Sequence, residues 1–341
     1  MIREAIGKVV GREDLSFREA QEVMEEIMSG EATPAQIGAL LVALRMKGEK
    51  PEEIAGMAIS MRRKAVPVRP RRKDLVDTCG TGGDGAGTFN ISTAAAFVVA
   101  GAGLGVAKHG NRSVSSRCGS ADLVEALGIK LELPPEELAR CIDEIGIAFL
   151  YAPFLHPAMK HATPPRREIG IRTVFNILGP LANPAQVKRQ IIGVYDPSLT
   201  EVLAEVLRIL QAEHALVIWG DGGIDELSLS GPNKITELKG GEIRTYFLDP
   251  QDLGLPKAPA EELRGGTPEE NASLLLRILE GRERGPLRNA VLLNSAAALV
   301  AGGKAEDFRE GLKLAAEALD SGAALAKLEA LREFSKSLQL K

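Results

Sequence analysis

The chain has 341 residues, about twice the usual length of one domain, and 45% of them are hydrophobic. Its formal net charge of −4 argues against general binding of nucleic acid by a basic surface. Its cysteines include no CxxC pair and number only three, which cannot form a disulfide framework and suggests reduced thiols. No signal-peptide pattern and no run of ~20 apolar residues is present, so we expect a cytoplasmic protein without a membrane partner.

The first 65 residues carry the signals of an all-helical segment. Ser16 and Glu19 form a capping box, and Thr33-Pro34 is a second start signal with proline at the first helical position. We expect helices from Phe17 to Gly30, from Pro34 to Gly48 and from Pro51 through Met61. Apolar residues occupy much of their surface. The helices therefore pack either on the chain's own core alone or, with one face, on a second subunit of a homodimer.

The sequence pattern changes after Val66–Lys73. This segment has two prolines, four cations and no periodicity, and we interpret it as a linker at a domain boundary. Short apolar runs then alternate with helical patterns, as in βαβ units with a mostly parallel sheet. We predict strands at Leu104–Ala107, Ile129–Leu133, Ile147–Tyr151, Gln190–Tyr195 and Ala215–Trp219, and helices at Ala94–Ala100, Ser120–Leu127, Pro135–Ile145 and Leu199–Leu210. Residues 157–184 return to a helical pattern. A hairpin signal at Lys239-Gly-Gly241 precedes helices from Pro268 onward.

A loop dense in glycine organises the chain. Glycines 80, 82, 83, 85 and 87 precede an apolar helical run that opens with Ser92 and Thr93. Glycine lets the backbone approach a ligand closely, and successive N–H groups of such a loop can converge on an anion. A Gly-rich turn that leads into a helix N-terminus has the physical properties of a phosphate site. Most Gly-rich turns bind nothing, but the hydroxyl, amide, lysine and histidine side chains clustered after this loop favour an anion site.

A second Gly-rich loop, Gly220–Glu226, places Asp225 and Glu226 after a predicted strand. Loops at the carboxyl ends of parallel strands gather at one edge of the sheet, so we expect this loop near the first. Mg²⁺ takes oxygen ligands and is commonly held by one or two carboxylates together with substrate phosphates. Alone, an Asp-Glu pair is more often part of an acidic surface. Beside an anion loop, it favours a metal site.

Further candidates for the same cleft are cationic or titratable. Lys108 is a point cation suited to a phosphate, and His109 is either a general base or a structural histidine. Arg166 and Arg167 follow two prolines at an expected helix start. A cation is a poor match to a helix N-terminus, which favours a ligand role, and one arginine could clamp a carboxylate bidentately. The alternative is a pair of solvated arginines.

Long motifs then identify a family. They are Asp77–Asp84, Asn90–Thr93, Lys108–Ser116, Gly119–Asp122, Arg172–Pro184 and Asp225-Glu226. With these motifs the chain resembles the anthranilate phosphoribosyltransferases, which are tryptophan-pathway members of the nucleoside-phosphorylase-like phosphoribosyltransferases. The resemblance extends over essentially the whole sequence.

The resemblance implies a fold and an activity. The fold is α/β, with a small all-helical domain and a larger α/β domain that has a mostly parallel central sheet. With the helical pattern after residue 157, we expect the small domain at 1–70 with 157–186 and the large domain at 71–156 with 187–341. The implied reaction transfers the phosphoribosyl group of 5-phosphoribosyl 1-pyrophosphate (PRPP) to the amine of anthranilate, with Mg²⁺ as cofactor. The implied assembly is a homodimer formed through the helical domain.

The resemblance also implies roles for individual residues. Residues expected around PRPP are Gly80, Gly83, Asp84, Thr88, Asn90, Thr93, Lys108 and Ser120. Residues expected at Mg²⁺ are Ser92, Asp225 and Glu226. Anthranilate contacts are expected at Asn111 and Arg166, with His109 close by. Other substrate contacts are expected at Ile91, Gly110, Arg112, Ser113, Val114, Ser115 and Ser116. No catalytic residue is firmly assigned, and His109 is the one candidate.

Two other functions are alternatives. A pyrimidine nucleoside phosphorylase of the same fold would use inorganic phosphate and would not need the Asp225-Glu226 pair. A non-catalytic relative that binds nucleic acid would need a basic surface, which the net charge of −4 does not favour.

Overall fold

The computed structural model of the protein describes residues 1–113 and 117–338. Its first part is a helical bundle of α1 (Ile2–Val10), α2 (Phe17–Met28), α3 (Pro34–Lys47) and α4 (Pro51–Lys64). The three predicted helices are confirmed, and α1 is added to them. The predicted capping box is present, because the Glu19 amide donates to Ser16 Oγ and the Ser16 amide donates to the Glu19 carboxylate. Thr33 and Gln36 cap α3 in the same way.

The described residues also form a seven-stranded sheet in the order β3-β2-β1-β4-β5-β6-β7. The strands are β1 (Leu75–Gly80), β2 (Gly105–Gly110), β3 (Ile147–Tyr151), β4 (Arg189–Gly193), β5 (His214–Trp219), β6 (Asn233–Lys239) and β7 (Glu242–Leu248). Strands β1 to β5 pair in parallel, whereas β6 and β7 are antiparallel. The expected small helical part and mostly parallel sheet are therefore confirmed.

Helices cover both faces of this sheet. The helices that follow β1 in the described chain are α5 (Ile91–Gly101), α6 (Ser120–Ala126), α7 (Pro135–Glu144), α8 (Ala152–Leu155), α9 (Thr163–Ile169), α10 (Phe175–Leu181), α11 (Leu199–Ile209), α12 (Pro268–Leu279), α13 (Pro286–Ala301), α14 (Phe308–Asp320) and α15 (Ala323–Ser337). One core packs α5 and α13 against one face, where Leu216 and Ile218 point. The other packs α10, α11 and the first four helices against the opposite face, where Ala215 and Val217 point. This alternation follows from the two-residue period of a strand.

The helical pattern predicted after residue 157 is present as a short 3₁₀ helix, Pro157–His161, followed by α9 and α10. Helix α9 contacts α3, and α10 contacts α4. Phe175, Leu178 and Leu181 of α10 belong to the same core as α1–α4. These contacts support the proposed division into 1–70 with 157–186 and 71–156 with 187–341, which stays a prediction.

Two strand predictions differ from the structure. Ile129–Leu133 is not a strand, although Ile129, Leu131 and Leu133 are buried. These alternating apolar side chains anchor an extended segment between α6 and α7. The Lys130 amide of this segment donates to Ser335 Oγ rather than to a neighbouring strand. Strand β2 also runs further than predicted, because Lys108 and Gly110 pair with β3. Lys108 therefore lies within the strand and not in the loop after it.

The predicted hairpin is confirmed. Lys239 pairs with Glu242 across a two-residue loop of Gly240 and Gly241, whose φ values are 59° and 88°. Both values lie in the left-handed region that glycine adopts readily, as the tight turn between antiparallel strands requires. No helix in residues 1–113 and 117–338 is long and apolar enough to span a bilayer.

Candidate active site

The two Gly-rich loops meet at the carboxyl ends of β1, β4 and β5. Gly80 is the last residue of β1 and pairs with Gly193, the last residue of β4. A Cβ at Gly80 would lie 2.4 Å from Asp225 Oδ2, and one at Gly193 would lie 1.6 Å from the Asp225 carbonyl oxygen. Gly193 must therefore be glycine for the Asp225 backbone to rest on the strand end, whereas a side chain at Gly80 would displace the Asp225 carboxylate. The predicted meeting of the two loops is what the parallel register produces.

Hydrogen bonds fix the loops to each other. The Gly82 amide donates to Asp225 Oδ2 at 2.7 Å, and the Asp225 amide donates to Asp84 Oδ2 at 3.3 Å. The other carboxylate oxygen of Asp84 accepts from the Ala86 amide at 3.1 Å. Further along, the Gly87 carbonyl accepts from the Gly265 amide, and Thr88 forms a bridge with Arg264. Aspartates from both loops thus hold the glycine backbone in one shape.

Glu226 faces the start of α5. Its Oε1 accepts a hydrogen bond of 3.1 Å from the Ser92 amide, and Ile91 beside it is buried. The carboxylate therefore occupies part of the helix N-terminus that the sequence suggested for a phosphate. The Ser92 side chain lies next to Glu226 and Lys108, as the predicted metal set of Ser92, Asp225 and Glu226 requires.

The charges at this point are crowded. Desolvation, and then the charge of Asp84, raise the pKa of Asp225; desolvation and then Asp225 raise the pKa of Glu226. A divalent cation between the two carboxylates would relieve this repulsion, and carboxylate and hydroxyl oxygens are the ligands that Mg²⁺ prefers. No group of three or more His, Cys, Asp or Glu side chains arranged to hold a metal occurs in the described residues. Asp225, Glu226 and the Ser92 hydroxyl fit an oxygen-ligated cation by their charge and donor atoms.

Lys108 supports the site from beneath. It is 3% exposed, and its Nζ donates to the Thr78 carbonyl and lies 3.5 Å from Ser92 Oγ. Desolvation lowers the pKa of its ammonium group, while the charges of Asp77 and Glu226 oppose that shift. The cation consequently balances carboxylates on both sides of the strand end.

Two side chains at the start of α5 differ in how they are satisfied. Asn90 is fixed, because its Nδ2 donates to the Cys118 carbonyl and its Oδ1 accepts from Asn271 Nδ2 at 2.9 Å. Thr93 is 1% exposed, and within the described residues its Oγ1 has no hydrogen-bond partner. A buried hydroxyl of this kind usually has a partner, and the predicted contact of Thr93 with the phosphoribosyl donor stays a prediction because its side chain is enclosed in the fold.

His109 forms a buried pair with His156. Their Nε2 atoms are 3.2 Å apart, and the His109 amide donates to Asp77. Desolvation lowers the pKa of His109 to about 3 and that of His156 to about 4. Both rings are thus neutral at pH 7. This environment favours a positioning role for His109 over the role of general base.

Arg166 lies in the predicted helix but not at its start. It is in the last turn of α9, which begins at Thr163, so the argument from an unfavourable helix dipole was wrong. Its guanidinium lies 4.8 Å from the centre of the Phe175 ring, and desolvation lowers its pKa. Among the described residues, no carboxylate or hydrogen-bond acceptor pairs with this guanidinium. Arg167 beside it is exposed.

The loop after β2 is held by α6. Ser120 Oγ donates to the Asn111 carbonyl at 3.2 Å, and a Cβ on Gly110 would lie 2.4 Å from that hydroxyl. Arg112 makes ion pairs with Asp122 and Glu125. The Ser113 amide donates to Asp122 Oδ2. The predicted contacts at Val114, Ser115 and Ser116 lie outside the described residues.

Several positioning residues were not identified from the sequence. Asn183 donates to Asp77 Oδ2 at 2.8 Å, and Asn294 brackets Leu227 by accepting from its amide and donating to its carbonyl. Arg172 donates to the Gly83 carbonyl. Asn183 and Arg172 lie in the Arg172–Pro184 motif, and that motif was the available signal. Asn294 lies in an apolar helical run and gave no signal.

Comparisons with known proteins match this architecture. Residues 3–65 match the helical bundle domain of the glycosyl transferase family, and residues 72–325 match its a/b domain. An anthranilate phosphoribosyltransferase from Moorella thermoacetica is 58% identical over 331 residues, covering 97% of this chain and 97% of the relative. The chain belongs to the anthranilate phosphoribosyltransferase family.

Solved structures of this family agree. The anthranilate phosphoribosyltransferase of Thermus thermophilus has a TM-score of 0.93 and 49% identity, with 97% of this chain and 99% of that chain covered. The Saccharomyces cerevisiae anthranilate phosphoribosyltransferase in complex with PRPP and Mg has a TM-score of 0.91 and 29% identity, with 98% of each chain covered. The predicted family and fold are thus confirmed.

Proposed function

We propose that the chain transfers the phosphoribosyl group of PRPP to the amine of anthranilate, giving N-(5-phosphoribosyl)anthranilate and pyrophosphate in tryptophan biosynthesis. The observation that carries this proposal is the bonding of the glycine loop to the Asp225 loop at the ends of β1, β4 and β5. That arrangement places backbone N–H groups and a pair of carboxylates around one point, as a magnesium-bound pyrophosphate requires.

The donor side consists of the glycine loop, the hydroxyl of Thr93, and Lys108 beneath them. Asp225, Glu226 and the Ser92 hydroxyl would hold Mg²⁺. When bound, the ion neutralises charge that develops on the departing pyrophosphate. Backbone N–H groups of the loop stabilise the same charge without reorganising during the reaction.

On the acceptor side, Arg166 binds the carboxylate of anthranilate through a bidentate contact, with Asn111 and the neutral His109 nearby. The amine nitrogen attacks C1 of the ribose as the bond from C1 to pyrophosphate breaks, and that electron pair leaves on the pyrophosphate oxygen. An aryl amine is neutral at pH 7, so it attacks without prior loss of a proton. After the new C–N bond forms, the positively charged amine nitrogen loses its proton to water. Holding both substrates in one cleft supplies much of the rate.

The test is a fluorescence assay of anthranilate consumption by the purified chain, with and without PRPP and Mg²⁺. We expect anthranilate to be consumed only when the protein, PRPP and Mg²⁺ are all present. Consumption of a pyrimidine nucleoside with inorganic phosphate, in place of this reaction, would identify a nucleoside phosphorylase. A salt-sensitive gel shift with single-stranded DNA and no turnover would identify a binding protein instead. The Asp225-Glu226 pair favours the pyrophosphate donor over both alternatives.

We also propose that the chain is a homodimer formed through the N-terminal helices. Val10 of α1 and Met46 of α3 are 68% and 72% exposed, and a second subunit packed on these helices would cover them. Analytical ultracentrifugation at micromolar concentration should give the mass of a dimer, and a monomer there would contradict the proposal. The cytoplasmic location expected from the sequence stays a prediction.

A further inference from the structure

Arg172 bridges the helical segment and the glycine loop. It lies in the connection between α9 and α10, and its guanidinium donates to the Gly83 carbonyl. The same guanidinium lies 4.2 Å from the centre of the Tyr195 ring. Tyr195 follows β4, so Arg172 is held between two elements at the carboxyl edge of the sheet.

The contact with Gly83 sets the direction of a peptide group. In a trans peptide, the carbonyl of one residue and the N–H of the next point in opposite directions. Because the Gly83 carbonyl points at Arg172, the Asp84 N–H points away from it. None of the described residues accepts a hydrogen bond from this N–H. The peptide thus offers an unused donor on the side of the loop opposite to Arg172.

The contact also places a cation beside a site with excess negative charge. The carboxylates of Asp84, Asp225 and Glu226 surround the loop, whereas Lys108 is buried beneath it. Within the part of the chain that the structure describes, Arg172 is the cationic side chain that hydrogen-bonds to the glycine loop. Together with Mg²⁺ held by the carboxylates, this cation would lessen the repulsion that a pyrophosphate group meets at the loop.

We propose that Arg172 is a positioning residue for the phosphoribosyl donor: stacked on Tyr195, it holds the Gly83–Asp84 peptide so that the Asp84 N–H binds a phosphate oxygen of PRPP. The inference rests on the proposed function and concerns only the donor. Arginine suits this role because its planar guanidinium donates in its own plane while its face lies on an aromatic ring. A lysine ammonium cannot do both.

The experiment compares Arg172→Ala and Arg172→Lys with the wild type. Binding of PRPP with Mg²⁺ is measured by calorimetry and by the fluorescence of Trp219, the one tryptophan of the chain, which ends β5 beside the site. Steady-state KM values are measured for each substrate. We expect Arg172→Ala to weaken PRPP binding about ten-fold or more while the KM for anthranilate changes less than about two-fold. Arg172→Lys should recover only part of the loss.

Further variants separate stacking from general effects. Tyr195→Phe keeps the ring and should bind PRPP like the wild type, whereas Tyr195→Leu should weaken PRPP binding several-fold. Arg63→Ala removes an exposed arginine from the end of α4 and serves as the matched control, with no expected change. Thermal unfolding of each variant shows whether the fold is intact.

Several results would overturn the inference. Unchanged PRPP binding in Arg172→Ala would do so, as would equal weakening of both substrates, which indicates a structural role. Full recovery with lysine would show that a point charge is sufficient. A wild-type chain that binds no PRPP would instead refute the proposed function, and the inference with it, so the two failures are distinguishable.

Discussion

The donor and acceptor halves of the site are built differently. The donor half is mainly backbone, and the glycine loop is held by N–H groups that donate to Asp84 and Asp225 over glycines at the strand ends. The acceptor half is mainly side chain, with Arg166 over Phe175 and His109 against His156. In the described chain, the donor half is densely bonded, whereas the Arg166 guanidinium has no carboxylate partner.

This difference suggests how each half achieves specificity. A pyrophosphate is recognised by charge and by N–H groups, which a rigid loop supplies wherever the backbone can approach closely. A small aromatic acid is recognised by one carboxylate and a flat ring, which need only a cation and apolar walls. Substitutions of the donor-half carboxylates should therefore affect turnover, while those in the acceptor half should affect the affinity for anthranilate.

The largest effect is expected from removing the carboxylate charges of the donor half. Asp225→Asn combined with Glu226→Gln should lower kcat by about a hundred-fold or more. Without the two carboxylates, the protein would no longer hold the Mg²⁺ that neutralises charge on the departing pyrophosphate. The fold should be as stable as the wild type or more so, since both carboxylates have a raised pKa from burial and crowding. Turnover is measured across a Mg²⁺ titration, and stability by chemical denaturation.

The matched control for this variant lies in the same loop. Asp221 accepts a hydrogen bond from Ser230 Oγ at 2.7 Å and is not part of the proposed metal set. Asp221→Asn should keep kcat near that of the wild type. Turnover of the double variant within a factor of about two of the wild type at every Mg²⁺ concentration would rule out the metal role.

The next effect tests the acceptor half. Arg166→Ala should raise the KM for anthranilate about ten- to a hundred-fold, because a charge-assisted bidentate contact contributes roughly 1.5–3 kcal/mol. The KM for PRPP should change much less. Arg166→Lys should recover only part, since an ammonium group cannot form the paired contact. Steady-state kinetics with each substrate varied in turn provide the measurement.

Arg167 distinguishes the other outcomes of this test. If Arg166→Ala weakens both substrates equally, Arg166 has a structural role or closes the cleft. If neither KM changes, Arg167 or another group holds the carboxylate. The two arginines differ in burial, since Arg166 is half-buried and Arg167 is exposed.

The two halves also differed in how far the sequence predicted them. The glycine loop and Asp225-Glu226 were predicted to meet, because glycine density and the carboxyl ends of parallel strands are visible in sequence. Gly193 could not be recognised as part of that contact. Its role depends on a backbone approach of Asp225 to a different strand, and only the three-dimensional register shows it.

The acceptor half was predicted less well for a physical reason. The position of Arg166 within α9 depends on where a short helix begins, and a helix of seven residues leaves little signal for that. The pairing of His109 with His156 joins residues on separate elements, and neither residue indicates the other in the sequence. The run at Ile129–Leu133 shows the same limit. Its alternating apolar residues are buried, as expected of a strand, but the segment pairs with no strand in the described chain.

The smallest expected effect concerns the histidine pair of the acceptor half. His156 has a folded-state pKa of about 4, below the ordinary value of 6.5, so between these values the unfolded chain binds more protons than the folded chain. Stability is therefore fully present above pH 6.5 and falls as the pH decreases from 6.5 toward 4. One such histidine lowers the free energy of unfolding by about 2 kcal/mol between about pH 7 and pH 5.

The variant His156→Gln should lose correspondingly less stability over that range than the wild type. Asp77, whose pKa burial raises to about 6, has the opposite effect on the slope, but it is present in both proteins and leaves the difference unchanged. His161→Gln is the matched control, because that histidine lies on the same segment without comparable burial. Denaturant titrations at about pH 7 and pH 5 provide the measurement. Equal losses in the wild type and His156→Gln would mean that His156 takes up its proton over the same pH range in the folded chain as in the unfolded chain, so that its ring would be charged at pH 5 and not neutral.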